Sequence, residues 1–126
     1  KGIEFINCGL GARQEVNPAS SHENQNNCDH NYQATDINTI DNIVKEKVDF
    51  IKLDIEGAEQ DAIDGAKETI KKYKPVLAIC IYHKAEDWHK IPQKVLDIES
   101  EYKVYLRHYM EGIFESVLYF IPKYKM

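Results

Sequence analysis

Four ionisable side chains in the middle of this sequence stand at spacings that can do chemistry. Asp54 and Glu56 lie two apart at the end of the apolar run VDFIKL, Glu59 follows three residues on, and His83 closes a second apolar run, VLAICIY. A carboxylate placed directly after buried apolar residues needs a partner or a ligand to offset its desolvation. Carboxylates and an imidazole within reach of one another can take a proton from a hydroxyl, orient a donor, or hold a divalent ion. For Glu59 and Asp61 a plainer reading competes, because a helix dipole favours acidic groups at its start whatever the protein does. His83 can likewise be a rim histidine satisfied by a loop carbonyl. His108, near the end of the later run YKVYLRH, is a second-tier candidate for substrate contact. His22, Cys28 and His30 lack the paired spacing of a zinc knuckle, and no metal is assigned.

The elements that must position these groups are legible in the hydrophobic pattern. Residues 3–8 (IEFINC) are apolar and β-branched enough for a strand, with Gly9-Leu10-Gly11 as a flexible turn after it. Residues 16–31 are almost wholly polar and read as a loop. Residues 32–37 can form a short edge strand, and Asn38 or Thr39 can cap a short helix carrying Ile40, Ile43 and Val44. Residues 48–53 read as a strand ending at Asp54. From 57 to about 73, Ala58, Ala62, Ile63, Ala66, Ile70 and Tyr73 recur at helical spacing and predict one helix, which Pro75 terminates. Residues 76–82 are apolar on both faces, as in the middle of a covered parallel sheet. A helix from 89 or 90 to 99 would carry Pro92 in its first turn, where proline is tolerated. Residues 102–108 and 116–121 predict two strands joined by a short connector containing Gly112, an antiparallel pair.

Strand and helix alternation of this kind predicts an α/β fold, a doubly wound and mostly parallel sheet with the last strand added antiparallel at or near an edge. Ligands of such sheets bind outside the carboxyl ends of the strands. Asp54, Glu56 and His83 should therefore converge on one rim.

Composition narrows the function classes. The chain has 126 residues, 43% of them hydrophobic and 29% charged, enough for one soluble domain. Its net charge of -5, with Arg13 and Arg107 as the only arginines, argues against a nucleic-acid backbone as partner. No apolar run approaches the roughly 20 residues of a membrane helix. Cys8, Cys28 and Cys80 are an odd and sparse set that fits a reducing cytoplasm. The tyrosines Tyr73, Tyr105, Tyr109, Tyr119 and Tyr124 are most simply core and edge-strand aromatics.

Several ordered motifs together resemble the FkbM-type methyltransferases: Thr39-Ile40-Asp41, the run from Val48 through Lys52-Leu53-Asp54-Ile55-Glu56-Gly57-Ala58-Glu59, Gly65-Ala66, Lys74-Pro75, Ile81-Tyr82-His83, Tyr105-Leu106-Arg107-His108 and Ser116-Val117-Leu118-Tyr119. They cover roughly residues 35–121. The resemblance implies a Rossmann-like class I methyltransferase using S-adenosylmethionine, acting on a hydroxyl of a sugar or other small-molecule or glycan acceptor. On that reading Asp54, Glu56 and His83 are catalytic, Glu59 and His108 contact the acceptor, and Gly9, Leu10 and Asp54 lie at the cofactor. Residues 1–15 would hold the family's third strand, 16–31 a polar loop, and 32–126 the strand-helix core with the closing hairpin. The strand and glycine-rich turn that hold the methyl donor, and the ribose-binding strand after it, have no counterpart here. The first strand would then lack its natural neighbour, and the chain by itself would bind the donor weakly and be inactive. Two other readings stay open: a non-catalytic interaction module of the same fold, and a metal-dependent hydrolase built on Asp54, Glu56 and His83.

Overall fold

A computed structural model describes residues 2–16, 36–112 and 114–126. The expected loop, most of the strand over 32–37, and His22, Cys28 and His30 lie outside the described residues. The chain opens with two short strands, β1 (Gly9–Leu10) and β2 (Ile37–Asn38), which pair in parallel. They lead into α1 (Ile40–Ile43), β3 (Phe50–Leu53), α2 (Glu59–Asp64), α3 (Lys67–Tyr73), β4 (Val76–Cys80), α4 (Asp87–Ile98), β5 (Tyr102–His108) and β6 (Ser116–Pro122).

The main sheet has the order β3-β4-β6-β5, with β3 parallel to β4 and β6 antiparallel to both its neighbours. Three of its four strands therefore run the same way, as the alternation predicts. The run over 76–82 does supply an interior strand, and β6 lies one position in from the edge formed by β5. Alternation sorts the side chains onto two faces. One face carries Leu53, Leu77, Ile79, Ile81, Leu118, Phe120 and Tyr102, and the helices close over it with Ile40, Ala62, Ile63, Ile70, Ile91 and Val95. The other carries a small cluster of Ala78, Cys80 and Val117, with Tyr82 and Tyr119 against it and, among the described residues, no helix residue in it.

Three expectations are corrected. Residues 3–8 are not a strand: Ile3, Phe5 and Ile6 are exposed, and the ladder begins later, with the Gly9 amide donating to Asp36 O at 2.8 Å and the Gly11 amide to Asn38 O at 3.0 Å. Strand propensity is realised only against a partner, so Gly9-Leu10 is strand rather than turn, and that strand does have a neighbour in β2. The helix expected over 57–73 is two helices. At the break, Gly65 packs so closely on the Gly11 carbonyl that a Cβ there would collide with it, and the Gly65 carbonyl accepts from the Asp41 amide at 2.9 Å. Asp41 then caps α3, its carboxylate accepting from the amides of Glu68 at 3.1 Å and Thr69 at 2.8 Å. Finally, α4 begins at Asp87, so Pro92 falls inside the helix rather than in its first turn, and the Trp88 carbonyl receives no bond from it.

Candidate functional site at the carboxyl ends of the central strands

Strands β3 and β4 end side by side, with Leu53 paired to Ile79, and the chain beyond each carries the candidate groups. Leu53 points into the core, so Asp54 points to the other face, the face of Cys80 and Tyr82. The next turn is tight. Glu56 takes a left-handed conformation with φ 56°, followed by Gly57 at φ 96°, a pairing that costs a non-glycine residue backbone strain and throws its side chain outward. Glycine is required at 57 by its φ, and the Lys84 and His83 side chains also close over it.

His83 is the centre of the arrangement. Its Nε2 lies 3.7 Å from Asp54 Oδ1 and 3.6 Å from Glu56 Oε2, and its Nδ1 lies 3.0 Å from Glu59 Oε1. The imidazole is 9% exposed, against 31% for the Asp54 side chain and 89% for Glu56. Its ring is turned so that neither nitrogen completes a hydrogen bond among the described residues. Asp54 also accepts the Tyr82 hydroxyl at 3.1 Å, and Lys52 Nζ stands 4.0 Å from its Oδ2. Burial, then the hydrogen bond to Asp54 and its charge, push the Tyr82 phenol up to about 12. It therefore stays a donor to Asp54 at ordinary pH.

The structure thus brings Asp54, Glu56 and His83 together. Glu59 belongs to the same cluster but not to its surface: it is fully buried, and its Oε1 accepts the Ile55 amide at 2.9 Å. It leaves no area for a substrate and instead fixes the turn and backs the imidazole. His108 is not brought in. Its Nδ1 is 2.9 Å from Ser116 Oγ, and β5 lies two strands from β4, about 10 Å by ordinary strand spacing. Gly9 and Leu10 lie elsewhere too, since Gly11 beside them closes on Gly65 at the far end of α2 from Glu59. An open concavity of about 370 Å³ lined by Tyr105, Arg107, Tyr109, Tyr119 and Ile121 sits on β5 and β6, on the same face of the sheet as Asp54 but towards the opposite edge. Sequence reasoning missed Tyr82, although the alternation that sends His83 towards the core sends its neighbour to the face of Asp54.

A model of the Methyltransferase FkbM domain matches residues 7–109. The chain belongs to the FkbM methyltransferase family. A crystal structure described as methyltransferase FkbM from Methylobacillus flagellatus KT is similar to it, with 33% identity and a TM-score of 0.75 over 90% of this chain. The chain spans 27% of the length of that FkbM protein. Comparison with curated proteins gives no match.

Proposed function

We propose that this chain forms the acceptor side of an S-adenosylmethionine-dependent methyltransferase that methylates a hydroxyl oxygen, on a sugar or another small-molecule or glycan acceptor. The observation that carries the reading is His83 Nε2, buried and unpaired, facing Asp54 and Glu56 at the carboxyl ends of parallel strands. A hydroxyl is a weak nucleophile until a proton acceptor stands beside it. Asp54, fixed by Tyr82 and Lys52, orients the reacting groups, and Glu56 or His83 accepts the proton. Orientation of this kind supplies much of the acceleration in a displacement reaction.

The residues fit the cofactor in part. A carboxylate that remains partly open at a strand end suits a sulfonium cation, so Asp54 is the residue placed to face it. Gly9 and Leu10 do not suit the role: the Gly9 amide is engaged by Asp36, and Leu10 packs against the core. When bound, S-adenosylmethionine supplies an electrophilic methyl group. Everything else asked of the site is positioning and proton acceptance by Asp54, Glu56 and His83. In a complete enzyme carrying these residues, Asp54→Asn and His83→Ala should each lower turnover by about 100-fold or more, with the far-UV spectrum unchanged. Turnover equal to that of the unaltered protein in both would remove these roles.

A further inference from the structure

The geometry points to a binding site for a first-row divalent cation, of the zinc or manganese kind, formed by Asp54, Glu56 and His83. One ligand atom from each lies within 4.8 Å of the others. An ion with tetrahedral bonds of 2.0–2.2 Å holds its ligand atoms about 3.3–3.6 Å apart. His83 Nε2, at 3.7 Å from Asp54 Oδ1 and 3.6 Å from Glu56 Oε2, already stands at nearly that spacing from both carboxylates. Glu56 is exposed and can swing to close the remaining gap.

The state of the imidazole is an independent mark of a ligand. A ring that is 9% exposed normally satisfies both nitrogens, yet here neither does so among the described residues. Behind it, Glu59 Oε1 lies 3.0 Å from Nδ1, with the Ile55 amide holding the carboxylate in place. Metal-bound histidines donate their other ring N–H to a carboxylate of this kind, and a turn of the His83 ring would bring Nδ1–H onto Glu59 as Nε2 takes the ion. Asp54 keeps lone pairs for an ion despite the Tyr82 hydroxyl, since a carboxylate offers about four acceptor sites. One imidazole nitrogen with two carboxylate oxygens favours zinc, manganese or cobalt over magnesium and calcium, whose sites are built of oxygen.

A cation on Nε2 would occupy the lone pair that His83 could otherwise offer to a proton. Glu56, through its outer oxygen, is then the proton acceptor of the cluster. Cation binding itself does not depend on which reaction the protein performs, and it is measured without any methyl donor.

The test is calorimetric titration of metal-free protein with zinc chloride and manganese chloride, with cobalt(II) absorption as a second readout. One ion per chain is expected. Its affinity should fall about tenfold or more in Asp54→Asn, in His83→Gln and in Glu59→Gln, and the cobalt bands should shift or vanish with it. The combined variant His22→Ala, Cys28→Ser, His30→Ala should bind as the unaltered protein does. Absence of binding at millimolar metal would overturn the assignment. So would binding that survives Asp54→Asn and His83→Gln but disappears in the combined variant.

Discussion

Glu59 shows how the site is held from beneath. Its carboxylate meets the Ile55 amide on the turn and the His83 ring on the neighbouring strand. Glu59→Ala leaves the part-buried Ile55 amide without its partner and removes the carboxylate packed beside the imidazole, and should cost about 2 kcal/mol of stability as read by urea denaturation. Cys80 gives a second prediction at this scale. Burial first, then the charge of Asp54, push its thiol up to about 12, so almost no thiolate exists at pH 8. In the folded protein Cys80 should resist iodoacetamide, reacting only as fast as the chain unfolds; rapid alkylation of Cys80 in native buffer would contradict this environment. Asp54 and His83 are legible because each stands where an apolar run ends, and Glu56 by its spacing from Asp54, although of the residues of β3 only Leu53 is fully buried. The burial of Glu59 was not legible. A glutamate in the first turn of a helix reads as a solvated dipole partner unless the opposing strand, which supplies His83, is known.

Among the elements, the break between α2 and α3 is fixed by contacts distant in sequence. Gly65 is glycine because the Gly11 carbonyl leaves no room for a Cβ, and α3 starts where it does because Asp41 caps it from α1. Asp41→Ala should destabilise the protein by about 1 kcal/mol, lowering the melting temperature by roughly 4 °C. Helical periodicity alone ran straight through residues 57–73, since Ala62, Ile63, Ala66 and Ile70 keep their spacing across the break; neither Gly11 nor Asp41 is near in sequence. Residues 3–8 failed for the converse reason, strand propensity without a partner strand. By contrast β5 and β6 are legible nearly to the residue, because a hairpin carries its own partner. The tie between α2 and α4 yields a pH prediction. Burial raises the Asp64 carboxyl, but hydrogen bonds from Lys94 and Lys67, with their charges, outweigh it and hold it below the usual range. A depressed carboxyl contributes stability above its unfolded value near 4, and that contribution is lost as pH falls through the folded value. Thermal melts from pH 6 down to pH 2 should show a steeper decline for the unaltered protein than for Asp64→Asn.

Among the described residues, the helices crowd onto one face of the sheet, while the cluster of Ala78, Cys80 and Val117 on the other draws on strand-end and strand residues alone. The alternation of elements predicts the sheet and its direction, and the carboxyl-end rule predicts the rim on which Asp54, Glu56 and His83 meet. What the pattern could not show was which rim residues meet. His108 shares the rim with His83, yet β6 stands between their strands, and that strand order depends on a hairpin folding back between two others. The proposed function is methyl transfer to oxygen at the cluster of Asp54, Glu56 and His83. Its most direct test is to supply S-adenosylmethionine with an isotope-labelled methyl group to a complete enzyme carrying these residues, together with monosaccharides and small glycosides, and to locate the label by NMR. The expected result is an ether methyl on a hydroxyl oxygen, absent with Asp54→Asn; label on nitrogen or carbon, or an ether methyl formed equally well by Asp54→Asn, would contradict it.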